Sequence, residues 1–71
     1  TSIEFSQPKA SFVTLKVYNL LGEDVATLVS EKLPAGKHQR VWEPRGLASG
    51  EYLYRIEAGG FIQTRKLILL R

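Results

Sequence analysis

The sequence predicts a small all-β protein, an antiparallel sandwich of short strands, and three observations lead there. Apolar and polar residues alternate with a period of two through most of the chain, as they do in strands buried on one face only. Gly, Pro and Asn interrupt that alternation at short intervals and supply the turns. No stretch holds the helical period convincingly. A small closed barrel satisfies the same pattern and is the alternative architecture.

Each element follows from its own residues. Ile3 and Phe5 alternate with Glu4 and Ser6, and Gln7-Pro8-Lys9-Ala10 ends this strand, because Pro has no amide to donate to a ladder. From Phe12 to Tyr18, Val13, Leu15 and Val17 share one face, and Phe12, Thr14, Lys16 and Tyr18 share the other. Asn19 to Glu23 reads as a turn. Asp24 to Ser30 is β-branched at Val25, Thr27 and Val29 and reads as a strand, although Ala26 and Leu28 also suit a helical turn.

Leu33-Pro34-Ala35-Gly36 connects to a strand from Lys37 to Trp42 that Pro44 stops, and Arg45 to Gly50 reads as a loop. The strongest strand, Glu51 to Ala58, sets Tyr52, Tyr54 and Ile56 against Leu53, Arg55 and Glu57. Gly59-Gly60 then predicts a two-residue hairpin whose primed turn needs positive φ, pairing Tyr52–Ala58 with Phe61–Leu69 of a final strand that reads from Phe61 to Arg71. Parity places Trp42 opposite to Val41, and burying the indole gains far more, so Trp42 is expected to point inward.

Length and composition bound the function. With 71 residues the chain is one small domain that buries about 60% of its unfolded surface, which leaves little room for a deep catalytic cleft. It is 44% hydrophobic and 24% charged, as an ordinary globular domain is. Its net charge of +3 comes from cations scattered among acids, so nothing in the sequence supports a nucleic-acid partner. The longest apolar run, Leu67 to Leu70, is too short to cross a bilayer. Cys is absent, which leaves the compartment open. Thr1 to Phe5 has neither the features of a signal peptide nor an initiator Met, so the chain reads as a segment of a longer protein.

No catalytic constellation is visible. His38 is the only imidazole, and a general base would need a nucleophile and an orienting carboxylate that nothing in the sequence brings to it; Ser49 and Asp24 are unplaced. The plain reading is a His packed beside Trp42 or half exposed. One His without Cys makes no zinc site, and Gly46 and Gly50 precede no helix that would cradle a phosphate. No cofactor is expected. Trp42, Tyr52, Tyr54 and Phe61 could form a stacking platform for sugars or bases, but a domain this small needs its large aromatics inside, and Trp42 is expected in the core.

The terminal strand carries more information. Leu67-Ile68-Leu69-Leu70 is apolar at both parities, yet only one face of a strand can enter the core of a two-layer sandwich. The other face needs a cover, and with Arg65, Lys66 and Arg71 alongside it forms a candidate docking element.

Several segments together resemble one family. They are Val13 to Gly22, Leu33-Pro34-Ala35-Gly36-Lys37-His38 with Trp42, Gly46 to Tyr52, and Ala58-Gly59-Gly60-Phe61 followed by Gln63 to Leu67. In order and spacing they are similar to the C-terminal sorting domain of cargo proteins of the type IX secretion system, which is related to the immunoglobulin-like module of the flagellar hook-capping protein. The resemblance implies an immunoglobulin-like sandwich of about six to seven strands. It also implies a non-catalytic secretion signal carried behind an upstream cargo domain in the same chain. The implied partners are the outer-membrane translocon and a sortase-like surface peptidase, and the implied destination, after the periplasm, is the medium or the cell surface.

The family's Gly-x-Tyr motif falls on Gly50-Glu51-Tyr52, and its terminal Lys-containing motif falls on Lys66 to Arg71. By resemblance, Gly50, Tyr52, Lys66, Leu67, Leu69 and Arg71 are the recognition residues. Three features depart from the family's pattern. The Asn-Pro-rich segment that usually precedes the domain is not in this sequence, so a first strand upstream is an expectation. Arg40 stands at an inward position that is usually apolar, and Glu51 replaces an apolar residue. A structural or adhesive module of a surface protein or hook-cap-like assembly is the alternative function, and a carbohydrate-binding module is the third.

Overall fold

A computed structural model describes residues 1–70. It contains six strands: β1 (Ser2–Gln7), β2 (Ser11–Tyr18), β3 (Asp24–Leu33), β4 (Gly36–Val41), β5 (Gly50–Ala58) and β6 (Phe61–Leu69). They form two antiparallel sheets, a pair β1-β4 and a four-stranded sheet in the order β3-β2-β5-β6. The architecture is the all-β sandwich that the alternation predicts, and it is compatible with an immunoglobulin-like fold.

Parity decides what each strand buries. Val13, Leu15 and Val17 are each 0% exposed, whereas Phe12, on the opposite face of β2, is 59% exposed. Burying one such aliphatic side chain contributes about 1.5–3 kcal/mol, so this row anchors the larger sheet. Ile3 of β1 meets Val13, Leu15, Val29, Leu33 and Ile56 across the sandwich in a first core cluster. A second cluster joins Val17, Trp42, Tyr52 and Leu69 at the other end, with Leu47 and Leu67 against it. Trp42 is 4% exposed and packs edge-on against Tyr52 at 5.7 Å and 76°, which agrees with the inward expectation.

β3 is longer than its β-branched run and extends to Leu33. Its mixed pattern has a local cause. The register with β2 shifts between Leu15 and Lys16 and again between Val17 and Tyr18, so Leu28 and Val25 are extra residues on β3. Such bulges turn a side chain without breaking the strand. Leu28 and Val29, though adjacent, therefore both reach the core.

The hairpin at Gly59-Gly60 forms as expected: φ is +52° and +87°, and Ala58 pairs with Phe61. β4 stops at Val41, one residue short of the expected Trp42, but the ladder continues as bonds between the Trp42 and Thr1 backbones. β6 ends at Leu69 rather than Arg71, and Arg71 lies outside the described residues.

His38 is half exposed, one of its two plain readings, and packs on Phe5 with ring centroids 5.4 Å apart rather than beside Trp42. Its Nε2 lies 2.8 Å from the Pro34 carbonyl oxygen. A carbonyl can only accept, so this nitrogen holds the proton and the ring serves the fold. The Gln7 amide does similar work, with Nε2 donating to the carbonyls of Leu33 and Pro34 at 2.8 and 2.9 Å and tying the end of β1 to the β3–β4 connection.

Candidate functional site

The residues singled out in the sequence converge on one end of the sandwich, where β5 begins and β6 ends. Gly50 pairs with Leu69, and Tyr52 pairs with Leu67. Gly50 has φ +148°, a backbone state that a side chain disfavours, and from there the chain enters β5 with Tyr52 aimed inward. Tyr52 is 7% exposed, and its hydroxyl donates to the Ala48 carbonyl at 2.7 Å, fastening the 42–49 connection over the core. Tyr52→Phe is expected to lower stability by about 1 kcal/mol, read as a smaller urea midpoint at unchanged m-value.

The six residues divide by exposure. Tyr52 and Leu69 are buried, and Leu67 is half-buried against the same cluster. Gly50 and Lys66 are exposed, and Arg71 is not among the described residues. Lys66 Nζ lies 3.5 Å from Glu51 Oε1 across the β5–β6 ladder, an exposed pair that contributes little to stability. At this end of the strand the accessible side chains are those of the opposite parity: Lys66 and Ile68 face outward, as Ile62 and Thr64 do further along, and Ile68 is 57% exposed. The two-faced apolar run signalled this surface, but without a partner strand the run did not tell which parity was outside.

Sequence reading missed Leu20 and Leu21. Both are exposed on the β2–β3 turn, which the ladder Tyr18–Leu53–Lys66 sets at the same end as Ile68 and Leu70. The turn is rigid. Asn19 Oδ1 accepts from the backbone amides of Leu21 and Glu23 at 3.0 Å each, and Asn19 Nδ2 donates to Glu23 Oε1 at 2.9 Å. Asn19 was the available signal, since an Asx turn lifts the residues after it away from the sheet.

Three cations on the outer face of the larger sheet are paired with carboxylates. Lys16 meets Asp24 at 3.6 Å and Arg55 meets Glu57 at 2.9 Å, as Lys66 meets Glu51. Among the described residues no cluster of His, Cys, Asp and Glu is arranged to hold a metal ion. Trp42 and Tyr52, both buried, offer no stacking platform to a ligand.

A family model for the secretion system C-terminal sorting domain matches residues 1–70. The chain belongs to that family. The sorting domain is a C-terminal signal for type IX secretion, and it directs export to the medium or the cell surface. Its work therefore lies in contacts with the secretion system and in its attachment to an upstream cargo. The family is in general non-catalytic. No curated protein and no solved structure matches the chain. No helix among the described residues is long and apolar enough to cross a membrane.

Proposed function

We propose that the 71 residues act as one folded signal, without catalysis, and that the outer-membrane translocon reads it through β6 and the apolar end of the larger sheet. A sortase-like surface peptidase is the second partner and removes the domain after export. The observation that supports this reading is the contrast between the two edges of the four-stranded sheet. The β3 edge exposes Thr27, Ser30, Glu31 and Lys32, a polar border that resists strand addition. The β6 edge exposes Phe61, Ile62 and Ile68 as well as Thr64, Arg65 and Lys66. An edge that carries exposed apolar groups offers a partner both its backbone and its outward face.

In this reading Lys66 and Arg71 orient the partner and Ile68 anchors it. Gly50, Tyr52, Leu67 and Leu69 act one step back: they hold the shape of that end and reach the partner through β6. Substituting Lys66 and Arg71 together by Gln in a cargo fusion is expected to leave the melting temperature unchanged and to lower extracellular cargo several-fold. Normal export of that stable variant would return the two cations to plain solvation and overturn their recognition role.

A further inference from the structure

The pair β1-β4 is narrower than the sheet it covers. β1 is paired on one side only, with β4. Beside it runs a groove of about 770 Å³, walled by residues 4–11 and floored by Tyr54, Ile56, Phe61, Gln63 and Arg65. No residue of β4 lines this groove, so its wall is the unpaired edge of β1.

Ladder alternation identifies the backbone groups on that edge. Trp42 N donates to Thr1 O at 2.7 Å and the Thr1 amino group donates to Trp42 O at 3.2 Å, so these two residues exchange both bonds. By the antiparallel period of two, Ile3, Phe5 and Gln7 bond to β4, and the N–H and C=O groups of Ser2, Glu4 and Ser6 point away from it. Glu4 and Ser6 lie in the groove wall.

The floor is chemically graded. Phe61, 57% exposed although on the core-facing parity of β6, lies at one end beside Ala58. Arg65 lies at the other, opposite Tyr54. With the Gln63 amide turned so that its oxygen faces the guanidinium, Oε1 accepts from Arg65 Nη2 and Nε at 2.7 and 2.9 Å and orients it. Three outer-face cations, Lys16, Arg55 and Lys66, each have a carboxylate, but among the described residues no carboxylate lies within ion-pair reach of Arg65, nor of Lys32 on the outer face.

We propose that this groove takes an extended acidic segment of a partner protein, added to β1 as a third strand. The segment sets an apolar side chain on Phe61 and, four positions along, a carboxylate on Arg65. Its backbone pairs with Glu4 and Ser6. Charge selects this occupant over a second copy of the chain: β1 of a second copy would bring Ile3, Phe5 and Gln7 to the floor and no carboxylate to Arg65. The site is separate from the outward face of β6, and its test reads binding rather than export.

The probe is a blocked peptide, Thr-Val-Thr-Val-Thr-Asp-Thr, titrated into the 15N-labelled 71-residue chain, with a Lys-for-Asp peptide as control. Saturable shifts at Glu4, Ser6 and Phe61 to Arg65, about fivefold weaker with the control, are expected. Arg65→Glu should reverse the preference between the two peptides. Glu4→Pro removes an edge donor outside the β1–β4 ladder and should abolish binding at a retained melting temperature. If that variant does not fold, slowed exchange of the Glu4 and Ser6 amides in the peptide complex reports the same pairing. No saturable shift up to a few millimolar peptide, shifts confined to outward β6 residues, a peptide-free dimer through β1, or protection of the Glu4 and Ser6 amides by residues ahead of Thr1 in a longer chain would each overturn the proposal.

Discussion

Trp42→Ala is expected to leave the domain largely unfolded at room temperature. The indole is 4% exposed and joins Val17, Tyr52 and Leu69, which come from three different strands, to the end of β4. Truncating a buried Trp costs about 3–5 kcal/mol through lost transfer energy and the cavity left behind. A single core in a chain this short rarely supplies more than about 3–5 kcal/mol in total, so the loss is comparable with the whole stability. The edge-on contact with Tyr52 is lost as well, and with it the lid made by the 42–49 connection. Loss of the near-UV circular dichroism signal and a collapsed urea midpoint would confirm this. Trp42→Phe should keep the fold at a smaller cost, and a native spectrum for Trp42→Ala would show that the second cluster is not essential.

The second large effect is expected from replacing Gly59 and Gly60 by Val. Both residues have φ in the left-handed region, +52° and +87°. A Cβ there costs about 1–2 kcal/mol per residue, and branching adds to it. Space is not the obstacle, since a Cβ on Gly59 would meet Ser11 Cβ at an ordinary 3.5 Å and one on Gly60 would meet nothing. The loss is therefore torsional, about 2–4 kcal/mol for the pair. Asn at both positions, which tolerates this conformation, should recover much of it. Equal melting temperatures for the Val variant and the parent would refute the turn assignment.

Much of the fold was legible because a strand shows its faces in its parity. Val13, Leu15 and Val17 against Phe12, and Tyr52 and Ile56 against Glu51 and Glu57, sorted inside from outside without reference to any neighbour. Parity does not name the neighbour. β1 pairs with β4 across a long stretch of sequence, and nothing in either strand's alternation marks the other. Leu28 was ambiguous because a bulge breaks the period that reading depends on. Arg40 looked out of place at an inward position, yet it is half-buried opposite Ile3 with its guanidinium turned back to the Gln39 carbonyl at 2.8 Å. An amphipathic side chain can fill such a position with its stem while its head stays wet.

The site was less legible for the same reason. Leu67 to Leu70 announced a strand with two apolar faces, but only the register with β5 shows that Leu69 closes the core and Ile68 faces out. The groove beside β1 has no sequence signature at all. It arises because two strands cover four, a mismatch of sheet widths that appears only once the sheets are stacked.

The backbone bond between Thr1 and Trp42 has a mechanical consequence. Trp42 touches Tyr52, which pairs with Leu67, so Thr1 leaves the sandwich at the end where β6 finishes. A cargo joined through Thr1 is tethered beside Ile68 and Leu70 rather than at the far pole. A bulky cargo on a short tether would shield that end from an approaching receptor, whereas a longer tether would let the cargo swing clear. If the receptor reads that end, as proposed above, the length of chain between the cargo and Thr1 would set how often the signal is visible, a steric control that needs no change in any of these residues.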